Sequence, residues 1–533
     1  MWAIAANELN IATGNGTITA NLTTPFDRDL TTATLGSNWL NATLAQGDGE
    51  IKTKIGNLTL GSPLNINNII SGNLKLDAKQ NLILNGAIAD STNQDDILNL
   101  NLSAQNNVEI NQSISTGGGD ILVNAKNGEI KLKNNLNIGT GKAQFFDDVR
   151  ISDVSLLGGL GSRIEFQGTV DSESSLNASN LAISVTETEF SDQVGFNAAL
   201  NNLSLITDQL TFDDNIFTQG DISFAPQNNN LDLTIGGNII DARLNLTNSD
   251  LDKLQNGFSN ITFSGKNITL FRDLEFDHSL TLNAATGKVD TNSFSLNAPD
   301  IDILAATDFN FDLVTANNLS LQTKGNITDD GPLNIQHSLT LETDGAIALD
   351  NGANDFNQVK IQKANNVLLR DVDDLTLLAS NISGSFEIQA GSFATSTAIN
   401  TGQDLTITTT DTIATQALTA TGKIALTSQN SSIQTGDVTA INGGLNMTAL
   451  SKIDTDNIFA SGTIQLTNQN NLINTKGITS STSTVNLLAA GEITATAINA
   501  NNAVNLTSQG GSIKVQNITS NISTVNLSAA SDI

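Results

Sequence analysis

The sequence predicts an all-β chain: a parallel β-helix solenoid of roughly 20–24 residues per coil with one short helical insertion. Three observations predict it. Apolar residues recur at a fixed step: Ile413, Ile433, Ile453, Ile473, Ile493, Ile513 and Ile533 are each 20 residues apart. Within each recurrence apolar side chains alternate, as in Val504-Asn505-Leu506, which is the two-residue period of a strand with one face turned inward. Between recurrences lie Gly, Asn, Ser and Asp, as in Gln509-Gly510-Gly511-Ser512, the residues of tight turns.

The regular part is clearest after residue 400. A second column runs Leu418, Val438, Ile458, Ile478, Ile498, Ile518, again by 20. A third, Leu405, Ile424, Leu445, Ile464, Val485, Val504, Val525, steps alternately by 19 and 21, so the unit is a pair of coils. Leu319, Leu339 and Val359, with Ile327, Ile347 and Val367, carry the rhythm back to about residue 310, and a shortened step before residue 400 implies one irregular coil. This defines 314–533 as regular coils, and Ile533 falls on a column, so the chain is expected to stop mid-coil as an interior segment of a longer protein. A leucine-rich repeat has a similar period, but its helix and its L-x-x-L-x-L-x-x-N pattern are missing.

Towards the front, Leu74-Lys75-Leu76, Leu98-Asn99-Leu100 and Ile121-Leu122-Val123 recur at 23–24, so 51–144 is read as slightly wider coils. Residues 145–313 hold 15 of the 20 Phe and are read as an irregular β-helix with an aromatic-filled core. Within them a helix is expected near 247–256: Thr247 is an N-cap candidate, Leu251 and Leu254 share a face, and Gly257 ends it. Residues 1–50 contain both tryptophans, Trp2 and Trp39, show no period, and are read as an irregular end or cap.

Composition narrows the function. Lys plus Arg is 24 and Asp plus Glu is 54, a net charge of −30 that repels nucleic acid and anionic membranes. No apolar run of eighteen residues is present, so no helical membrane insertion is expected. Cysteine is absent, which removes disulfides, thiolate metal sites and thiol nucleophiles. The amino terminus carries no basic region and apolar core of signal-peptide type.

Ala353-Asn354-Asp355-Phe356-Asn357, then Ala364-Asn365-Asn366-Val367-Leu368-Leu369-Arg370-Asp371, resembles a block recurring in giant filamentous-haemagglutinin-like exoproteins. Gly325-Asn326-Ile327-Thr328, Leu339-Thr340-Leu341 and the Leu246 to Phe258 helix followed by Ile261-Thr262-Phe263 are similar to that family too. The resemblance spans about residues 100–533. It implies a right-handed β-helix, two-partner secretion through an outer-membrane transporter, and a long adhesive rod on the outer surface of a Gram-negative bacterium. The family's N-terminal secretion domain, with its Asn-Pro-type motifs, is missing from these residues.

Chemistry is weighed against that reading. The acidic doublets Asp95-Asp96, Asp147-Asp148, Asp213-Asp214, Asp329-Asp330 and Asp373-Asp374 are candidate acids or ligands of a pectate-lyase-like enzyme, but their spread fits solvated turns. They leave room for weak Ca²⁺ binding, without an EF-hand or G-G-x-G-x-D repeat. His278 and His337 have no Cys, His or Glu at ligand spacing, Arg370-Asp371 reads as a surface ion pair in preference to part of a binding face, and Gly117-Gly118-Gly119 is a turn without the Lys of a phosphate loop. The expectation is therefore no catalytic, cofactor-binding or metal residue and no enzyme. The expected role is an adhesive rod segment of a secreted cell-surface exoprotein, with host or neighbouring-cell glycans or proteins as partners. A passive stalk for a tip or toxin domain is the alternative, and a polysaccharide-active β-helix enzyme is a further one.

Overall fold

A computed structural model describes residues 2–14, 33–66, 71–89, 96–237 and 244–533, and all structural statements below concern these residues. The chain is an all-β parallel β-solenoid of about 24 turns with two short helices. It divides into two compact units, Met1–Arg272 and Asp273–Ile533.

In the first unit every coil supplies strands to parallel ladders on separate faces. One face has nine strands, from Trp2–Ala6 to Gln209–Phe212, and a second has eight, ending in Val170–Ser172. The reason is written in each strand. Leu98–Ala104 buries Leu98, Leu100, Leu102 and Ala104 and turns its Asn outward, so stacking coils joins their apolar sides into one continuous core. Phe145, Phe166, Phe190 and Phe212 occupy one register position in four successive coils, and their rings stack at 4.8, 5.1 and 5.7 Å. Phe224 and Phe263 continue as a stacked pair at 5.7 Å. Phe145, Phe166, Phe190, Phe212, Phe224 and Phe263 are thus core residues, whereas Phe196 is exposed.

One expectation in this unit is refined and one needs correction. Residues 1–50 contain solenoid strands, Trp2–Ala6 pairing in parallel with Gly49–Thr53 and Leu9–Ala12 with Leu58–Leu60, while Ala33–Gly36 lies out of chain order on the outer edge of Leu9–Ala12, where a cap would sit. No period shows because the step from Trp2 to its partner Gly49 is 47 residues and includes a helix, α1 (Ser37–Leu44), that buries Leu40 and Leu44. The 23–24-residue step is also off by one pleat. Leu74 pairs with Leu100, not Leu98, and Leu100 with Ile121, giving steps of 26 and 21. A slip of two residues keeps every side chain on its face, so hydrophobic pattern alone does not exclude it.

The expected helix is α2 (Asn248–Asp252). Thr247 is its N-cap, and the Thr247 and Asp250 side chains form a reciprocal capping box. It is shorter than the pattern implied, because Lys253 already caps its C-terminal end and Gly257 turns at φ +136°.

In the second unit the columns read from the sequence are the observed register. Ile413, Ile433, Ile453, Ile473, Ile493 and Ile513 pair in succession, as do Leu418 to Ile518 and Leu405 to Val525. The steps shorten to 18 and 19 residues where Leu375 pairs with Phe393 and Val367 with Phe386, which is the irregular region expected before residue 400.

Two polar devices tie coil to coil. Asn and Asp at strand entries accept from the same position one coil on: Asp48 Oδ1 from Asn73 N–H at 3.0 Å, Asn99 Oδ1 from Asp120 N–H and Asp120 Oδ1 from Lys142 N–H, both at 2.8 Å. Buried hydroxyls at strand exits donate back to the preceding turn. Ser480 Oγ donates to Gly462 O at 2.8 Å and Ser508 Oγ to Gly491 O at 2.6 Å, and Ser508 also accepts from Gly511 N–H at 3.1 Å. Ser508→Ala leaves a carbonyl and an N–H without this partner, so it should cost about 1–2 kcal/mol in a denaturant titration. An unchanged midpoint would remove the hydroxyls from the account of stability.

Candidate functional site

Some of the residues singled out by the sequence meet at one corner of the second unit. Asp329 ends the strand Ile327–Asp329, Asn354 precedes Asp355–Lys363, and Asp371 follows Val367–Arg370. All three side chains are buried. Asp329 accepts from Asp350 N–H at 2.9 Å and from Asn354 Nδ2 at 2.6 Å, and Asn354 Oδ1 accepts in turn from Leu333 N–H at 2.9 Å. Asp371 Oδ1 accepts from Phe356 N–H at 2.7 Å, and Oδ2 accepts from Asp373 N–H at 3.3 Å. These carboxylates do what backbone cannot do at an irregular coil, which is to satisfy buried N–H groups whose ladder is interrupted.

The expected Arg370-Asp371 ion pair is not what this corner uses. Successive strand residues point to opposite faces, so Asp371 turns inward onto backbone N–H groups while Arg370 lies half-buried with an Nε that has no hydrogen-bond partner. Burial, followed by the nearby Asp373 and Asp355 charges, pushes the Asp371 carboxyl up to about 6. Burial raises Asp329 as well, against the hydrogen bonds it accepts.

Asp355, Asp371 and Asp373 bring carboxylate oxygens within 4.8 Å of one another, and this trio contains no histidine. Hard oxygen ligands at that spacing suit a divalent cation chemically, but no other group here points to one. The remaining doublets are dispersed. Asp147 accepts from Ala125 N–H, Asp148 from Thr169 N–H and Asp214 from Asn215 N–H, which are turn-capping roles. Asp96 is buried, and Asp95 lies outside the described residues. His337 is exposed on its strand, and Gly117 and Gly118 adopt positive φ in a turn, as expected.

Sequence reading missed a charged cluster on the first unit. Arg163, Glu187 and Gln209 share one outward column, with Glu165 and Glu189 in the next, so Arg163 reaches Glu187 at 2.9 Å, Glu165 at 3.5 Å and Glu189. Lys142 pairs with Glu165 at 3.1 Å. Hydrogen bonds from Gln167, then from Lys142 and Gln144, hold the Glu165 carboxyl down at about 2. The only available signal was register, since these residues are scattered in sequence. A carboxyl whose folded value lies below its unfolded one stabilises above pH ~4.3 and loses that contribution as pH falls towards 2. Glu165→Gln keeps the shape and one acceptor, so it should cost about 1–2 kcal/mol at pH 7 and only a small part of that near pH 2. Equal losses at both values would show that packing, not charge, carries the effect.

Residues 298–361 match a family described as repeats of unknown function (DUF5649). No curated protein matches the chain. The match takes in the strands from Asp300–Ala305 through most of Asp355–Lys363, including Asp329 and Asn354 at the buried corner. The chain is a repeat-containing β-solenoid, and the matched residues lie in its second unit.

Proposed function

We propose that the chain is an adhesive segment of a secreted exoprotein, binding glycans or proteins of a host or neighbouring cell through many weak contacts. One observation carries the reading. On one face of the second unit, Thr408, Thr427, Thr448, Thr467, Leu488, Thr507 and Ser528 form an outward column, and Thr406, Ala425, Asn446, Gln465, Asn486, Asn505 and Asn526 form another. None of these positions is charged, although the chain as a whole carries −30. A rigid lattice of hydroxyls and amides repeating at about 4.8 Å is preordered, and weak contacts along it sum to avidity. The amides are themselves laddered, Asn505 Nδ2 donating to Asn486 Oδ1 at 2.8 Å and Asn526 Nδ2 to Asn505 Oδ1 at 2.7 Å.

The haemagglutinin-like block from Ala353 to Asp371 supports placing the parent protein on the outer surface of a Gram-negative cell, exported by an outer-membrane partner transporter. The role is non-enzymatic in this reading. The test is to pass the chain over immobilised polysaccharides and host-surface glycans, recording retention and released sugar in the same samples. Retention without release is the expected result, weakened by Thr427→Lys, Thr467→Lys and Thr507→Lys together. Released sugar would overturn it in favour of a polysaccharide-active enzyme, and no retention on any surface would overturn it in favour of a passive stalk.

A further inference from the structure

On the second unit, away from the uncharged face, a groove of about 510 Å³ runs across four successive coils. Its floor is made by Thr455, Thr475 and Ala495, stacked in register and each about 95% buried. One wall is the outward column Asp454, Asn474, Thr494, Lys514, and the other holds Asp456, Lys476, Thr496 and Gln516. These three positions turn their side chains into the core, Thr475 Oγ1 donating to Asp456 O at 2.8 Å, so the floor presents backbone and the walls are polar.

The charges along these walls are already engaged. Asp454 pairs with Lys452 at 2.6 Å and accepts from Asn474 Nδ2 at 2.7 Å, Asp456 pairs with Lys476 at 2.7 Å, and Lys514 pairs with Glu492 at 2.7 Å. The two wall carboxylates and two wall ammonium groups cancel, so the groove is neutral within a chain of net charge −30. A charged ligand would find no unspent counter-charge and would have to break an ion pair. What remains for a ligand are the Thr496 hydroxyl, the Gln516 amide, and the Thr494 hydroxyl, whose bond to Glu492 Oε1 is a long 3.3 Å. Three coil steps at about 4.8 Å give a straight trough roughly 14 Å long, room for about three pyranose rings.

We propose that this groove binds a neutral, extended oligosaccharide laid along the trough, its hydroxyls on Thr494, Thr496 and Gln516. The volume lies within the range of small-ligand sites, and a hydroxyl-rich, uncharged ligand matches the neutral polar walls. The proposal rests on the adhesive reading and adds to it a discrete subsite for a single glycan chain.

The test is calorimetric titration of the full chain with the neutral trisaccharides cellotriose, maltotriose and triacetylchitotriose, with sialyllactose as the anionic comparison. At least one neutral trisaccharide should bind with a millimolar or lower Kd. Thr494→Val with Thr496→Val, isosteric changes at partly exposed sites, should weaken that binding at least tenfold while leaving the thermal melt unchanged. Thr59→Val with Thr211→Val, outward positions on strands of the first unit, should leave trisaccharide affinity unchanged. Absence of neutral binding at about 10 mM, a preference for sialyllactose, or equal affinity in the groove variant would overturn the proposal. If the polymer is still retained in those cases, the adhesive reading stands without the groove; if it is not, that reading falls as well.

Discussion

Asp371→Asn should make the protein more stable at pH 7 and reduce the pH dependence of its stability between about pH 4 and 6. The carboxyl is 6% exposed and is pushed up to about 6, first by burial and then by the charges of Asp373 and Asp355. In the unfolded chain it titrates near 3.9. Below about pH 4 both states hold the proton and no penalty exists. As pH rises from 4 to 6 the unfolded chain ionises first, so stability falls, and above pH 6 the whole penalty is in force. A difference of roughly two pH units corresponds to about 3 kcal/mol, an order-of-magnitude figure for a group buried this deeply. Asparagine keeps an oxygen to accept from Phe356 N–H at 2.7 Å and gives up only the long 3.3 Å bond accepted from Asp373 N–H, in exchange for removing a buried charge. The variant should therefore gain about 1–3 kcal/mol at pH 7.5 and nothing at pH 4. Denaturant titrations of both proteins at pH 4, 5, 6 and 7.5 decide it. Glu165 and Glu173 are lowered and lose their contributions at more acidic pH, so the difference between the two proteins isolates Asp371. Asp329 stays in place and leaves residual dependence of the same sign. A loss of stability at every pH would mean that the ionised carboxylate is the favoured form, and the corner would need a counter-charge that this account does not contain.

How much of this was legible beforehand differs between the two units. The Ile413 to Ile513 column needs no structure, because one inward residue per coil at a constant step leaves stacking as the only arrangement that buries all of them. At Leu74 the same logic fails: coils of 26 and 21 residues have no constant step, and a two-residue slip buries the same faces. The first coil is illegible for a related reason, since the 47-residue step from Trp2 to Gly49 and the out-of-order strand Ala33–Gly36 hide the pairing of strands that are individually well patterned. The candidate site splits in the same way. Asp329, Asn354, Asp355, Asp371 and Asp373 were all visible as acidic or Asn-rich turns, but which carboxylate points inward depends on where a strand ends, and Asp371 sits one residue past that point. The Arg163 cluster and the neutral groove depend on which residues four coils place side by side. That is a property of register, and linear spacing carries it only where the step is constant.

Register also sets the largest stability effect expected for one residue. Phe190→Ala should destabilise the chain by about 3–5 kcal/mol, whereas Phe196→Ala, six residues on, should cost less than about 1 kcal/mol. Phe190 is 1% exposed and lies between Phe166 at 5.1 Å and Phe212 at 5.7 Å, with interplanar angles of 6° and 26°. Removing its ring forfeits transfer energy and leaves a cavity roofed and floored by aromatic faces. Those faces belong to neighbouring coils held at fixed spacing by parallel ladders, so they cannot move together to close it. Phe196 is 57% exposed and touches Phe217 at a tilted 5.6 Å, so its truncation opens no void. The stack should also show coupling: Phe166→Ala and Phe190→Ala combined should depart from additivity by about 0.5–1.5 kcal/mol, because the second truncation enlarges a cavity that the first has already opened. In a solenoid each coil is held mainly by its neighbours, so the loss at Phe190 should be felt by the coils of Phe166 and Phe212 and not by the regular coils after residue 400. Hydrogen exchange reads this directly, with faster exchange expected for the amides of Arg163–Phe166, Glu187–Phe190 and Gln209–Phe212 and unchanged protection for Ile473–Ser480. Uniform loss of protection in both regions would mean that the two units unfold as one cooperative body, and nearest-neighbour stacking would not describe the stability of this chain.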